Sequence, residues 1–351
     1  MPEPIRPAHA HPPACSTPAE CRASVDALGH TSAYHLETSH RLDAAMPGSQ
    51  DFAVDPRNAS ALIYMSGALV PREQAKVSVF DGGFVVGDGV WEGLRLHKGA
   101  LLFLDQHLDR LYWGADRIAL NIGLDRGALT AEIWRLLDAN QMQDGVHLRV
   151  MITRGEKSAP NQDPRNAIGK PTIVIVAEYK QPNPAIVTRG LSLSCSSIRC
   201  TPAQMFDMRL NSHSRLNLIM ALLEAIEVGA DEALMLDPHG FVSSCNATNF
   251  FFVRDGAVMS SRGEYCFNGI TRTNVIKLCH DNDISLALGD FKLDDVYAAQ
   301  EAFVTGTFGG ITPVREIDGR TLQHPPPGPI TNRLRALYEA LKDAEASERT
   351  R

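Results

Sequence analysis

A proline-containing segment near the middle of the chain places the strongest constraint on its fold. The segment KQPNPAI at residues 180–186 holds two prolines in seven residues, and proline cannot continue a helix or a central strand. On each side of it, stretches with strand periodicity and stretches with helical periodicity follow one another. The sequence therefore predicts an α/β (α+β) fold of two domains, residues 59–180 and residues 188–347, joined by a linker at 181–187.

The predicted elements have the lengths expected of a packed α/β protein. In the first domain we predict a hairpin at 61–71, strands at 75–80, 90–97, 147–155 and 171–179, and helices at 104–122 and 129–140. In the second domain we predict strands at 191–198, 232–237, 249–261 and 301–314, and helices at 215–229, 269–282 and 332–346. A chain of 351 residues is long enough to give each domain its own core, with a cleft between them.

The first 58 residues differ in composition from the rest of the chain. They are rich in proline, alanine and histidine, so we predict a partly disordered extension. A metal-binding tail made of His9, His11, Cys15 and Cys21 is the less favoured alternative. This segment has no apolar region typical of a secretory signal, and the seven cysteines of the chain are scattered. Both features favour a cytoplasmic protein with reduced thiols.

Charge and hydropathy exclude two classes of partner. The net charge is −7, and no dense basic run is present, so nucleic acid and anionic membranes are not expected to be the main partners. No apolar run approaches the roughly 18–20 residues that span a bilayer. We therefore expect the partner to be a small molecule held in a cleft.

Three short stretches have the residue types that bind phosphate. GITRTNV at 269–275 places a glycine directly before a helix, whose free N–H groups and dipole attract an anion. TGTFGG at 305–310 ends a strand in small residues, and Arg110 in HLDRL adds a charge that can bind phosphate oxygens. Taken singly, each is more often an ordinary capped helix, a tight turn or an exposed arginine.

The order of these stretches changes that judgement. VSVFDGGFVVGDGVWEGLRLH, HLDRL, GADEALMLD, GITRTNV and VTGTFGGITPV follow one another along residues 77–314. In this order they resemble the class IV aminotransferase family, the fold-type IV pyridoxal-phosphate enzymes that include branched-chain and D-amino-acid aminotransferases. The resemblance covers roughly residues 60–345. It implies a homodimer whose active site lies between the domains and close to the dimer interface.

The resemblance also implies which residues bind the cofactor phosphate. Arg110 matches the phosphate-binding arginine of the family. Ile270 and Thr271 match its contacts at the helix start, and Thr307, together with Gly306, matches the last phosphate ligand. We call these five residues the phosphate cup.

Two catalytic positions differ from the family pattern. The lysine that holds the cofactor aldehyde as a Schiff base falls at Arg209 when residues are counted back from Glu224. Leu210 or Asn211 is the equivalent residue if the loop differs by a residue or two. An arginine stays protonated and cannot act as an imine-forming nucleophile. The glutamate that pairs with the pyridine nitrogen is replaced by Ser244, whose neutral hydroxyl cannot keep that nitrogen protonated.

Four further residues are candidates for the site. Arg149 lies where some relatives bind the substrate carboxylate, although a structural ion pair explains it equally well. His213 could act as an acid or base, or it could lie at a helix entry and contact the backbone. Tyr64 and Trp91 are expected to pack in the first domain, with shaping of the substrate pocket as the alternative.

These observations leave three functions open. The chain is either an aminotransferase for an amino acid and a 2-oxo acid, an enzyme with altered acid–base chemistry on the same fold, or a non-catalytic protein that binds a phosphorylated ligand. We predict that pyridoxal phosphate, or another phosphate-bearing ligand, binds without a covalent bond. Ordinary transamination should then be very slow or absent.

Overall fold

Two β-sheets and the helices packed on them make up the described part of the protein. The structure is a computed structural model that describes residues 48–349. The first 47 residues of the predicted extension, with the alternative metal site, lie outside the described residues. From residue 48 onwards the chain forms one compact unit. Within residues 48–349, no helix is both long enough and apolar enough to cross a membrane.

The first sheet has six strands, and all of its pairs are antiparallel. The strands are β1 (Leu62–Met65), β2 (Ala68–Pro71), β3 (Gly89–His97), β4 (Ala100–Leu101), β5 (Val146–Thr153) and β6 (Thr172–Tyr179). Their order across the sheet is β2-β1-β6-β5-β3-β4. The helices of this half are α1 (Gly82–Val86), α2 (Leu104–Arg117) and α3 (Arg126–Ala139). Strand β5 pairs along its whole length with both β3 and β6, and β3 and β5 contribute residues to the site described below.

Helices α2 and α3 cover one face of this sheet because each has an apolar side. Leu108 and Leu111 of α2 are buried, and so are Leu129, Ile133 and Leu136 of α3. The spacing of three and four residues puts each set on one side of its helix. They pack in one core with buried strand residues of the first sheet. The other side of α2 is then free to carry polar side chains towards the second sheet.

The second sheet is larger and mixed. Its strands are β7 (Leu191–Cys195), β8 (Glu232–Leu236), β9 (Val242–Cys245), β10 (Asn249–Arg254), β11 (Ala257–Ser261), β12 (Leu286–Gly289), β13 (Glu301–Gly306), β14 (Gly310–Ile317) and β15 (Arg320–Thr321). The order is β12-β11-β10-β13-β14-β7-β8-β9, and β15 pairs with β14. The helices are α4 (Ala185–Arg189), α5 (Ala203–Phe206), α6 (Leu216–Glu227), α7 (Ile270–Asp281), α8 (Leu293–Tyr297) and α9 (Pro329–Arg349).

Apolar side chains cover both faces of the second sheet. On one face Phe251 and Phe303 stack with ring centroids 5.0 Å apart, in a core that also contains residues of α7 and α9. That core includes Leu102 and Phe103, which follow β4 of the first sheet. The two sheets therefore share a core. This shared core, and not the linker alone, fixes the position of one sheet relative to the other.

Most of the predicted elements are confirmed, and one is wrong. The hairpin at 61–71 is formed by β1 and β2, and the predicted linker region contains the short helix α4. The strand predicted at 75–80 does not form. This stretch follows a 3-10 helix at Arg72–Gln74, and its alternating residues Val77 and Val79 are exposed instead of packed in a sheet. The described end of the predicted extension is not separate, because Phe52 forms a β-bridge with Pro182.

Candidate active site

A cavity of about 360 Å³ lies between the two sheets. Its walls come from β3 and β5 of the first sheet, from the loop before α6, and from β9, β10, β13 and the start of α7. All five residues of the phosphate cup line it. The structure thus brings these five residues together in one cleft.

The start of α7 is held in place by Asn249. The Asn249 Oδ1 atom accepts a hydrogen bond from the Gly269 backbone N–H at 3.0 Å, and its Nδ2 atom donates to the Phe267 carbonyl at 2.6 Å. A Cβ atom on Gly269 would lie 2.4 Å from Asn249 Oδ1, so any other residue would force the Asn249 side chain to shift. The first N–H groups of a helix have no partner within the helix. Those of Ile270 and Thr271 border the cavity, where an anion would satisfy them.

Hydroxyl groups surround this helix start. The Thr271 hydroxyl lies 3.3 Å from the Tyr338 hydroxyl, and Thr307 is partly exposed to the cavity. The Thr305 hydroxyl oxygen is buried and has no hydrogen-bond partner in the described structure, although Thr305 lines the same cavity. A buried hydroxyl without a partner is costly. We therefore interpret it as a ligand contact, one that the sequence analysis missed.

Arg110 reaches the cavity from α2 with its position fixed by Glu92. Its Nε and Nη2 atoms donate to the two carboxylate oxygens of Glu92 at 2.7 and 2.8 Å, and Nη1 donates to the Asn268 carbonyl at 3.0 Å. His107 Nδ1 lies 2.7 Å from the same carboxylate. A guanidinium has five N–H donors, so two remain for a ligand. Arg110 is thus preorganised to bind an anion at the start of α7.

Glu92 is a buried carboxylate that Arg110 and His107 stabilise in its charged form. Burial alone would raise its pKa, but the charge and hydrogen bonds of Arg110, with His107, lower the pKa of Glu92 to about 2. Burial lowers the pKa of His107 against the opposing effect of Glu92. Neither residue was identified from the sequence. The signal was present, since Glu92 lies next to Trp91 and His107 is three residues before Arg110.

The position predicted for the lysine needs a correction. The side chain of Arg209 is 42% exposed, pairs with Asp207 at 2.8 Å and does not line the cavity. The chain turns at 207–210 and then runs beside β3, where the Trp91 N–H donates to the Asn211 carbonyl at 2.9 Å. This brings Asn211 to the cavity wall. Of the three equivalents considered, Asn211 is the one that faces the site.

Arg215 is a second basic residue of this loop, and it does line the cavity. Its Nη2 atom donates to Asn211 Oδ1 at 2.6 Å and to the Leu210 carbonyl at 3.1 Å, while Nε donates to the Ser212 carbonyl at 3.2 Å. Its guanidinium carbon is 5.4 Å from the ring centroid of Phe267. Burial, together with Arg149 and Arg110, lowers the pKa of Arg215 to about 10.

Arg149 and His147 project from β5 into the same cavity. They are two residues apart, so they share one face of the strand, a signal that the sequence offered for His147 but that we did not use. The Arg149 guanidinium carbon lies 3.5 Å from the ring centroid of Trp91, which also lines the cavity. Within residues 48–349 Arg149 forms no ion pair, so the structural alternative for this residue fails there.

Two predicted residues lie outside the cavity. Tyr64 is 2% exposed and packs in the core of the first sheet. His213 does not line the cavity: its backbone N–H donates to the Gly89 carbonyl at 3.0 Å, and its Nε2 atom is buried without a described partner. His147 is the histidine at the site. Its Nδ1 atom is buried without a described partner, and burial with nearby Lys180, Arg95 and Arg149 lowers its pKa to about 3.

Comparison with known proteins assigns this arrangement to a family. Residues 89–317 match the family described as amino-transferase class IV, which is more than half of the chain. The chain belongs to the class IV aminotransferase family. The matched residues include β3, the cup and the loop before α6.

Individual relatives agree with this assignment. The chain is 38% identical over 292 residues to branched-chain-amino-acid aminotransferase-like protein 2 of Arabidopsis thaliana, covering 82% of this chain and 51% of that protein. It therefore spans about half the length of the plant relatives it matches. It is 36% identical over 282 residues to a putative branched-chain-amino-acid aminotransferase of Methanocaldococcus jannaschii, covering 80% of this chain and 96% of that protein.

Solved structures share the same fold. A T.th. branched-chain amino acid aminotransferase with pyridoxamine 5'-phosphate superimposes with a TM-score of 0.76 at 31% identity, covering 81% of this chain and 95% of that one. A branched-chain aminotransferase of Thermoproteus uzoniensis with norvaline gives 0.73 at 30% identity, covering 82% and 97%. The predicted fold class is confirmed. A phosphate-bearing cofactor is plausible for a family with such members.

The class IV fold is present, but the cavity fits a covalently bound pyridoxal phosphate at one end only. The free helix N–H groups, Arg110 and the unpartnered Thr305 hydroxyl suit a phosphate-bearing ligand. Ser244 is 5% exposed and donates to the Thr248 carbonyl at 2.8 Å. At the position matched to the family glutamate, this chain therefore has a neutral hydroxyl and no carboxylate. No lysine from residues 48–349 lines this cavity.

Lys180 and Lys277 are distant in sequence from the loop before α6, and neither lines the cavity. Lys180 lies with Nζ 3.9 Å from the ring centroid of Phe52 and 4.7 Å from that of Phe308. Phe308 lines the cavity, but Lys180 does not. Lys277 is exposed on α7 and pairs with Asp281. Lys180 therefore lies beside a residue that lines the cavity, and any test of covalent attachment must consider it.

Proposed function

We propose that this protein binds pyridoxal phosphate, or a related phosphate-bearing ligand, in the phosphate cup without a covalent bond. It would act on an amino acid, a 2-oxo acid or a related small amine. Ordinary transamination is very slow or absent. We place the protein in the cytoplasm on the composition of its sequence alone.

One observation carries the proposal: Asn211 stands at the cavity wall where a class IV aminotransferase needs a primary amine. An amide nitrogen is not basic and forms no imine with an aldehyde. Its Nδ2 atom is moreover engaged with the Trp91 carbonyl at 2.6 Å. When bound, pyridoxal phosphate supplies an electron-withdrawing ring to an amine substrate. Without a lysine, the described lining of the cavity lacks the primary amine that carries out the usual proton transfer.

The proposal favours an enzyme over a passive binding protein because of His147. This imidazole lies in the cavity with an unpartnered buried Nδ1, and its low pKa keeps it neutral at physiological pH. A neutral imidazole with so low a pKa is a weak base, but its ring nitrogens can form hydrogen bonds with a ligand and orient a water molecule that reacts with it. Fold alone does not distinguish these functions. Loss of turnover in His147→Asn, with ligand binding retained, would support the enzyme.

The first test is the intact mass of the protein after incubation with pyridoxal phosphate and reduction with borohydride. The wild-type protein should bind the cofactor reversibly and gain no pyridoxyl group. The variant Asn211→Lys should gain one group at position 211, located by peptide mass. A stoichiometric adduct on the wild-type protein, for example at Lys180, would refute noncovalent binding. The wild-type result decides the question even if the variant does not fold.

We also propose that the protein is a homodimer that buries an apolar surface beside the cavity. We call it the apolar patch, and its most exposed members are Val79 (67%), Phe84 (70%), Leu216 (68%) and Ile219 (52%). The part with Val79 and Phe84 meets the part with Leu216 and Ile219 where the Ser214 hydroxyl donates to the Gly87 carbonyl at 3.3 Å. Exposed apolar patches of this kind mark association surfaces. A second copy would cover the patch and close the cavity, since Ile219 also lines it.

Sedimentation equilibrium tests the dimer. The wild-type protein should be dimeric at micromolar concentration, and Leu216→Glu with Phe84→Glu should be monomeric and folded. Leu288→Glu is the control, because Leu288 is 39% exposed on β12, at the edge of the second sheet. A monomeric wild-type protein, or a patch variant that stays dimeric, would contradict this assignment.

A further inference from the structure

The cavity holds more positive charge than a phosphate at the cup requires. Arg110, Arg149 and Arg215 all line it, and the one carboxylate bonded to any of them within residues 48–349 is Glu92, which pairs with Arg110. In that described part of the chain neither Arg149 nor Arg215 has an acidic partner. Arg149 is exposed, whereas Arg215 is partly removed from water. An unpaired cation in such a place is unfavourable unless a ligand supplies the counter-charge. Arg215 is therefore the cation that the phosphate cup does not account for.

Arg215 is oriented by the protein towards the cavity. Its Nε and Nη2 atoms are bonded to the Ser212 and Leu210 carbonyls and to Asn211 Oδ1. Its Nη1 atom, which carries two N–H groups, has no hydrogen-bond partner among the described residues. A guanidinium fixed by three acceptors loses little entropy when it binds an oxyanion.

The distance between Arg215 and the cup suits one small ligand. The guanidinium carbons of Arg110 and Arg215 lie 4.2 and 5.4 Å from the ring centroid of the same residue, Phe267. The two charges are therefore separated by less than the sum of these distances. A single aromatic ring that carries a phosphate on one side and an acidic group on the other spans such a gap. Phe267 and Trp91 line the cavity beside it.

We propose that Arg215, held by Asn211, binds a second anionic group of the ligand, a carboxylate or an equivalent oxyanion, close to the position where the family lysine would hold an aldehyde. This inference rests on the proposed phosphate cup. It assigns to this cavity a ligand with two acidic groups instead of a phosphate and an aldehyde. Asn211 then acts as a positioning residue, because its side-chain Oδ1 atom orients the Arg215 guanidinium.

Three probes with the same ring and phosphate separate the two ends of the site. They are pyridoxine 5'-phosphate, pyridoxal 5'-phosphate and 4-pyridoxic acid 5'-phosphate, which carry an alcohol, an aldehyde and a carboxylate at the same carbon. Dissociation constants are measured by titration calorimetry on the full chain. The wild-type protein should bind the acid at least about tenfold more tightly than the alcohol, as expected for a charged hydrogen bond.

Substitutions at Arg215 then distinguish a binding role from a structural one. Arg215→Gln should abolish the preference for the acid and change the affinity for the alcohol less than about threefold, while Arg215→Lys should keep part of the preference. Arg209→Gln is the matched control, since it neutralises an exposed arginine of the same loop outside the cavity. It should keep the full preference.

Each outcome decides one of the two proposals. If the wild-type protein binds the three probes equally, or if Arg215→Gln keeps the preference, the assignment of Arg215 is wrong and the cup stands. If none of the probes binds, the proposed function itself fails, and the second subsite fails with it. If Arg215→Gln weakens all three probes equally, Arg215 only supports the loop, and the inference is overturned.

Discussion

Replacing Gly269 by alanine should destabilise the start of α7 because of a single contact. Gly269 has φ −65°, which any residue adopts, so alanine meets no backbone strain there. Its Cβ atom would instead lie 2.4 Å from Asn249 Oδ1, while the nearest atom of any other residue, Cβ of Arg272, is at 3.8 Å. Asn249 is buried and cannot simply move away, since it is also bonded to Phe267 and Ser244.

The size of the effect follows from the contacts that must change. Moving the Asn249 side chain breaks its bond with the Gly269 N–H and weakens the one to the Phe267 carbonyl, each worth about 1 kcal/mol. Residual overpacking in the buried surroundings adds about 1–3 kcal/mol. The lower entropy of the unfolded alanine chain returns about 0.5 kcal/mol. We expect the free energy of unfolding to fall by about 2–4 kcal/mol, as estimated from these terms.

Urea unfolding with linear extrapolation measures this change, and titration with pyridoxine 5'-phosphate reports the state of the cup. Gly127→Ala is the control. Gly127 also lies in the first turn of a helix, α3, but its nearest atom is Asp125 Oδ1 at 3.4 Å. Alanine there should be neutral or stabilising by up to about 1 kcal/mol.

A double-mutant cycle isolates the contact. In an Asn249→Ala background the clash is absent, so Gly269→Ala should cost less than about 1 kcal/mol further. An equal cost in both backgrounds, or a Gly269→Ala protein as stable as the wild type, would show that the contact with Asn249 does not hold the helix start. If Gly269→Ala kept the stability of the wild type but lost ligand binding, the substitution would affect only the phosphate cup.

Two further predictions concern charges at the site. Arg110→Gln should weaken binding of pyridoxine 5'-phosphate by at least about tenfold in calorimetry, while Arg209→Gln should leave the binding unchanged. The reverse result would mean that Arg209, and not Arg110, binds the ligand. Glu92 has a folded pKa of about 2 against an ordinary value of 4.5, so its stabilising contribution is present above pH 4.5 and is lost as the pH falls towards 2. The difference in unfolding free energy between the wild type and Glu92→Gln should therefore shrink by roughly 3 kcal/mol between about pH 6 and about pH 2 in urea titrations, and a pH-independent difference would refute the ion-pair role.

The sequence predicted most of the fold because the local patterns agree with the packing. The helix at 129–140 is formed as α3, since its apolar residues recur at helical spacing and are buried together. The predicted helix at 104–122 ends earlier, at Arg117, because Ala119 adopts a left-handed φ of 49° that breaks the helix. The strand at 75–80 failed because alternating valines indicate a strand only when a neighbouring strand pairs with them.

The residues of the phosphate cup were predicted for a different reason, the resemblance to the class IV family. A glycine directly before a helix and a strand ending in small residues are each weak signals for phosphate when taken singly. The structure brings all five residues to one cavity, and phosphate binding there stays a prediction. Thr305 escaped prediction because a hydroxyl on a strand has no distinct sequence signal, and Glu92 was missed although it adjoins Trp91. Their roles depend on which atoms lie across the cavity.

The residue that faces the cavity before α6 could not be decided from the sequence. Arg209 and Asn211 differ by two positions, and a count from a distant glutamate cannot resolve a turn of that length. Three-dimensional contacts decide it: the local ion pair with Asp207 holds Arg209 at the surface, whereas the bridge to β3 fixes Asn211 inside. Basic character drew attention to Arg209. Arg215, six residues later, is the cation that reaches the site.

Asn211 and Arg215 are best understood as a coupled pair. The amide oxygen of Asn211 accepts from Arg215 Nη2 at 2.6 Å, so a lysine at 211 would replace an acceptor with a second donor beside a fixed cation. Proximity to a positive charge lowers the pKa of an amine, which favours the neutral nucleophile. We therefore expect the lysine of Asn211→Lys to form an imine at neutral pH, which borohydride reduces to a stable adduct. When Arg215→Gln is added, adduct formation should require a higher pH. The same change frees Arg215 from its acceptor, so the preference for an acidic ligand should decrease as covalent attachment appears. If the pH dependence of adduct formation were the same with and without Arg215→Gln, the two residues would not be coupled.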